Sequence, residues 1–162
     1  MQHTISVLVV NQFCVLSRIS GLFSGRGFNI ESLNVAETNE SGISRMTIIT
    51  RGDDKKIEQI TKQLNKLVDV IKVIDLTEEH FVDRELILVK MNAEARVREE
   101  ILRIVDIFRA KVIDVNHDNY TVEITGDEGK IKGFLDLLKP LGIKEIVRSG
   151  RIAISRGTKS IN

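Results

Sequence analysis

The chain predicts an α+β protein made of two tandem ferredoxin-like βαββαβ domains, each an antiparallel sheet covered by two helices. Three observations carry this expectation. Apolar spacing switches between period 2 and period 3.6 in the order β-α-β-β-α-β. The pattern closes near Leu76 and then begins again. Gly-Asp-Asp-Lys-Lys-Ile at 52–57 recurs as Gly-Asp-Glu-Gly-Lys-Ile at 126–131, a shift of 74 (52 to 126) that also sets Ile60 on Phe134, Leu64 on Leu138 and Leu67 on Leu141.

In the first copy, alternating apolar residues mark strands near 4–10, 30–37, 43–51 and 70–76. Val15, Leu16, Ile19, Leu22 and Phe23 form one helical stripe, on a helix read as Cys14–Arg26 and ended by Gly27, a residue suited to a left-handed cap. Ile57, Ile60, Leu64, Leu67 and Val68 form the second stripe. In the second copy, Leu86–Met91 is a strand and Val97, Ile101, Ile104, Val105 and Phe108 a helical face. Val112–Val115 and Tyr120–Thr125 read as a hairpin, Ile131, Phe134, Leu135 and Leu138 as the last stripe, and Ile143–Ser155 as one final strand. Asp53 and Asp127 stand where N-caps belong. The polar segment Thr77–Asp83 predicts a boundary, giving domains 1–77 and 78–162.

Composition narrows the function. Of 162 residues, 42% are hydrophobic, and 24 basic against 23 acidic residues leave a formal charge of +1, so no bulk field selects nucleic acid, membrane or an acidic partner. The strands ISVLVV and ISRMTIIT carry no aromatic residue, which disfavours the stacking surface of an RNA-binding module. A lone cysteine, an opening MQHTIS without the marks of a signal peptide, and only short apolar runs make a cytoplasmic location the expectation. Domains of about 75–80 residues bury only about 60–65% of their chain surface. Ile5, Val7 and Val9 on one side of the first strand and Leu8 and Val10 on the other ask for cover on both faces, which predicts a homodimer.

The segment Asn11–Asn34 carries the functional signal. It leads from a strand over a polar turn into a helix, whose first amides have no helical acceptor and attract anions, the carboxylate of a free amino acid among them. Asn11 serves there either as a cap or turn residue or as a ligand contact. Asn29 lies at the far end of the same helix, so a two-fold partner pairing through the second strand would bring the two together. Val15, Leu16 and Ile30 would then wall an apolar side chain. Gly21, Gly25 and Gly27 end a helix rather than open one, so they are no dinucleotide fingerprint, and close packing accounts for Gly21. Cys14 has no motif relation to His3, His80 or His117, which argues against a small cysteine enzyme. No metal-ligand spacing occurs. Arg148, Arg151 and Arg156 read as solvated edge charges or as a docking surface, with a slight preference for the former.

The runs VLSRISGLFSGRGFNIESLNV, SRMTIIT, KQLNKLVDVIKV, RELILVK, IFRAKVIDV and RSGRIAISRG together resemble the regulatory (small) subunits of acetolactate synthase, also called acetohydroxyacid synthase. The resemblance covers essentially the whole chain. It implies an N-terminal ACT domain, a related C-terminal domain, and a homodimer binding a branched-chain amino acid, usually valine, between ACT domains. It implies no catalytic residue, metal or cofactor in this chain, with thiamine diphosphate, FAD and magnesium held by a separate catalytic subunit that this one activates and places under feedback control. Carried over, the effector site falls on Asn11, Gln12, Phe13, Cys14, Val15, Leu16, Asn29 and Ile30. Family members commonly have Gly at the position of Cys14 and Pro or a small residue at that of Phe13, so the pocket here is expected to be narrowed. The alternative expectation is a free-standing ACT-type amino-acid sensor acting on another enzyme or on transcription.

Overall fold

A computed structural model of the chain describes residues 1–157 and 161. They form two compact units, Met1–Val82 together with Arg151–Asn162, and Asp83–Gly150. The elements of the first are β1 (Gln2–Val10), α1 (Val15–Ser24), β2 (Ile30–Glu37), β3 (Ile43–Arg51), α2 (Asp54–Leu64) and β4 (Val70–Asp75). Then come β5 (Phe81–Asn92), α3 (Arg98–Ile107), β6 (Lys111–Val115), β7 (Asn119–Gly126), α4 (Glu128–Leu138), β8 (Ile143–Arg148) and β9 (Ile152–Ser155). The sheets run β2-β3-β1-β4 and β6-β7-β5-β8, the same split βαβ order twice, and every recorded ladder is antiparallel.

Each core follows from the periodicities. Ile5, Val7 and Val9 of β1 with Met46 and Ile48 of β3 meet Val15, Ile19 and Phe23 of α1 and Ile57, Ile60 and Leu64 of α2. Their counterparts in the second unit are Ile87, Val89 and Met91, Val122 and Ile124, Ile101, Ile104 and Val105, and Ile131, Phe134 and Leu138. Phe108 meets Phe134 edge-to-face with ring centroids 5.4 Å apart, a pairing worth about 1 kcal/mol beyond area burial. Both expected aspartate caps form: Asp53 Oδ1 accepts from the Lys56 amide and Asp127 Oδ1 from the Lys130 amide, each at 2.8 Å.

Some elements differ from the sequence reading. Helix α2 stops at Leu64, so Val68 lies on the turn before β4 and is 96% exposed rather than on the helical stripe. Strand β5 begins at Phe81, inside the segment read as linker. Among the described residues, nothing beyond its chain neighbours and its own helix backbone lies within 4 Å of where a Gly21 Cβ would sit, so close packing does not account for it. The expected single strand 143–155 is two strands, interrupted where Ser149 turns its amide to Leu86 O (3.0 Å) and Gly150 takes φ +79°.

After that break the chain returns: residues 151–157 group with the first compact unit. β9 pairs with β5, and the Arg156 amide donates to His80 O at 2.9 Å. Arg45 Nε donates to Ser6 Oγ (3.0 Å) and its Nη2 to Ala153 O (3.2 Å), while the Arg151 amide donates to Ser32 Oγ (3.2 Å). The C-terminal segment thus crosses the sheet face opposite the helices, where Thr4, Ser6 and Leu8 are buried. Burial holds the Arg45 guanidinium below its ordinary pKa, because an ion leaving water disfavours its charged form. The three flanking arginines prove to be ties within each unit rather than free edge charges. Arg148 makes a two-pronged contact with buried Glu85 (2.9 and 2.5 Å), Arg151 Nη2 donates to Gln2 Oε1 (2.7 Å) and Arg156 Nε to Phe81 O (3.4 Å).

Ala153 lies buried against the sheet, whereas Ile154 beside it points outward. Ala153→Lys is therefore expected to lower stability by about 2–3 kcal/mol in urea unfolding, through overpacking and a buried charge. Ile154→Lys should stay within about 0.5 kcal/mol of the parent chain. Equal effects from both would show that β9 is not packed on this face.

Candidate functional site

The turn between β1 and α1 is tied from both sides. The Asn11 amide donates to Gly42 O at 2.7 Å, a bond from the β2–β3 connection whose Gly42 has φ +80°. The Val10 amide donates to Asp69 O at 2.9 Å, and Arg18 Nη1 meets the largely buried Asp69 carboxylate at 2.9 Å. Arg18 and Asp69 thereby lock the first turn of α1 to the approach of β4. Sequence reading missed this pair, because the residues lie on separate elements and nothing in the local pattern links them.

Asn11 does not cap the helix. The N-cap is Cys14, at φ 66° and ψ 0°, and its side chain makes no capping bond. The Gln12 amide turns back to Val10 O (3.0 Å), and Val15 N reaches Gln12 O only at 3.5 Å. The first regular helical bond is Arg18 N to Cys14 O, 3.0 Å, which leaves the Leu16 and Ser17 amides ahead of the intrahelical ladder. The α1 mouth is therefore an uncapped helix N-terminus with no acidic residue in its first turn, an electrostatic setting that favours a negative group.

The predicted residues fall in different places. Asn11, Gln12, Phe13 and Cys14 are exposed on the turn, Phe13 to 97%. Val15 is 4% exposed and belongs to the core, so its side chain is not a wall of the mouth. Leu16 is exposed beside it, and Ile30 packs half-buried against the core at the start of β2. Asn29 stands beyond the other end of α1, its carbonyl accepting from Thr50 Oγ1 at 2.7 Å. Ten helical residues separate the two ends, about 15 Å of axis, so one protomer does not gather Asn11 and Asn29 around one small molecule. β2 does lie at the edge of the sheet. At the far end Gly27 takes φ 71° and the Phe28 amide closes on Phe23 O at 3.0 Å, the expected left-handed cap.

Among the described residues, no group of three or more His, Cys, Asp or Glu is placed to hold a metal ion, and no helix is long and apolar enough to cross a membrane.

The first unit has the architecture of an ACT domain: a family model described as the AHAS small subunit-like ACT domain matches residues 5–72. A second, described as the small subunit of acetolactate synthase, matches residues 84–157. The chain is 51% identical over 159 residues to a probable acetolactate synthase small subunit of Archaeoglobus fulgidus, covering 98% of this chain and 99% of the relative. It is 54% identical over 156 residues to the acetolactate synthase small subunit of Aquifex aeolicus, covering 96% of this chain and 81% of the relative. The crystal structure of the acetolactate synthase small subunit from Thermotoga maritima superposes with a TM-score of 0.89 at 41% identity, over 98% of this chain and 99% of that one. The chain belongs to the family of acetolactate synthase small subunits.

The left-handed backbone at Cys14 gives a physical reason for glycine there, since a Cβ at φ near +60° costs about 1–2 kcal/mol. Cys14→Gly is expected to preserve or raise stability, and Cys14→Val to lower it by about 1–2 kcal/mol relative to Gly, measured by urea unfolding. A Val variant as stable as the Gly variant would contradict the backbone geometry described.

Proposed function

We propose that this chain is the regulatory partner of a separate catalytic subunit of acetolactate synthase, which it activates and subjects to feedback control by a branched-chain amino acid, valine foremost. The carrying observation is an uncapped α1 N-terminus in a chain related over nearly its whole length to small subunits of that enzyme. The thiamine diphosphate, FAD and magnesium chemistry belongs to the catalytic chain, in the cytoplasm where both work.

The effector's carboxylate lies against the amides at the α1 mouth, and its apolar side chain against Leu16 and Ile30. The separation of Asn11 from Asn29 requires a second protomer. Pairing of β2 with its two-fold mate sets the Asn29 end of one helix near the Asn11 end of the other, so the site is complete only in the homodimer. Edge-strand pairing also satisfies backbone groups that β2 otherwise presents to water. Effector binding then changes how the two protomers are disposed, and this alters activation of the catalytic subunit. By linkage, the catalytic subunit changes effector affinity by the same factor. In the homodimer, Phe13 and the Cys14 Cβ, both exposed on the turn, stand where they would narrow a pocket closed by the second protomer, which weighs against strong feedback inhibition by valine.

Asn29→Ala is expected to weaken valine binding about tenfold, the loss of one hydrogen bond to a charged ligand, while the dimer and its association with the catalytic subunit persist. Calorimetric titration with valine, leucine and isoleucine, with and without catalytic subunit, reads the first. Co-purification reads the second. Unchanged valine affinity overturns the site, and failure to associate with the acetolactate synthase catalytic subunit overturns the function.

A further inference from the structure

The groove between α2 and β4 in the first unit carries a polar cluster that the regulatory reading leaves unused. It starts at His3, eight residues from Asn11 along β1, about 26 Å of strand away from the α1 mouth. The His3 side chain is only 4% exposed and sits between two carboxylates. Its Nδ1 lies 3.3 Å from Asp75 Oδ2, and its Nε2 lies 3.5 Å from Asp54 Oδ1 with no hydrogen-bond partner among the described residues. Asp75 cannot swing away freely, because its other oxygen accepts from the Thr77 amide at 2.9 Å.

A neutral imidazole has one donor nitrogen and one acceptor nitrogen. With the proton on Nδ1, toward Asp75, the Nε2 lone pair faces the Asp54 oxygen across 3.5 Å. The other tautomer sets a lone pair against Asp75 instead. In either neutral tautomer one acceptor opposes another at the buried ring, and a donor arriving there, a proton on the ring or the N–H of a bound cation, removes the conflict. The Asp54 side chain is 77% exposed and free to open over that donor. The groove holds about 560 Å³ and is lined by Asp54, Glu58, Asp75 and Glu78, with Lys62 the one lysine or arginine among the described residues that line it. Lys62 is held by Glu58 at 2.6 Å and keeps that carboxyl below the usual range.

The internal repeat provides a control. The shift of 74 sets Ile57 on Ile131, Glu58 on Lys132 and Thr61 on Leu135, and all three counterparts line a groove at the same place in the second unit. His3 pairs with Thr50 as Ile87 pairs with Ile124, and Asp75 with Ile5 as Ile146 with Val89. At the positions of His3 and Asp75 the second unit therefore has Ile87, buried in its core, and Ile146, which lines its groove. The fold does not require the polar pair.

We propose that this groove is a second small-molecule site, one that takes an organic ammonium group at His3 Nε2 and the Asp54 carboxylate. An ammonium has three N–H donors: one for Nε2, one for Asp54 and one for the neighbouring carboxylates. It needs no third protein ligand held at a fixed distance, as a metal ion would.

The test is titration of the full chain with 1,4-diaminobutane, followed through the imidazole nitrogen resonances of His3, with 1,4-butanediol and matched sodium chloride as controls. The expected result is a saturating shift at His3 Nε2 with the diamine alone, weakened at least about tenfold in Asp54→Asn by loss of a charge-assisted bond. The double variant His3→Ile, Asp75→Ile copies the second unit and is expected to fold without binding; if it does not fold, the exposed Asp54→Asn decides. An unshifted His3, the same shift from butanediol or salt, or undiminished binding by Asp54→Asn overturns the proposal.

Discussion

A βαββαβ unit covers one face of its sheet with helices, and the first unit's sheet is apolar or tightly packed on both. Every residue of β1 from His3 to Val9 is buried, whereas β5 alternates between buried Ile87, Val89 and Met91 and exposed Leu86 and Lys90. The second sheet can therefore end its unit after β8. The first cannot, and residues 151–157 supply what two helices leave undone, with Ala153 small enough to lie flat on the sheet and Arg45 bridging to its carbonyl. Cover from within the chain, rather than from a second copy alone, answers the demand that the composition of β1 raises.

With β1 fixed on both faces, the turn that follows it has little freedom. Its amides are committed to Gly42 and Asp69, and Arg18 closes the arrangement by pairing with the Asp69 carboxylate. Partial burial of that carboxylate makes the pair more than a surface ion pair. The cost of the rigid turn appears at Cys14, which must adopt a left-handed backbone so that α1 can start immediately after the turn. The same geometry leaves the first helical amides uncapped. The left-handed backbone at Cys14 and the uncapped amides at this mouth are two consequences of one chain direction.

The two units show how one backbone plan accommodates different chemistry. Strand order, aspartate caps and core positions repeat closely, because burial and hydrogen bonding at those places tolerate few alternatives. The α2–β4 groove and its α4–β8 counterpart diverge at positions that packing leaves open, including a charge reversal from Glu58 to Lys132.

The sequence by itself determined the fold class, the repeat, both aspartate caps and nearly all of the core, because alternation and 3.6-residue spacing record directly which faces are buried. It also determined the family, through runs spread along the chain. It located the α1 mouth, since a strand, a short polar turn and an amphipathic stripe in succession require a helix N-terminus there. Only the tertiary structure decided that Arg18 finds Asp69, that His3 sits between Asp54 and Asp75, and that the last strand breaks at Ser149–Gly150 to return to the first unit. Each of these depends on contacts between residues far apart in the chain, and local periodicity contains no information about which distant element will supply the partner.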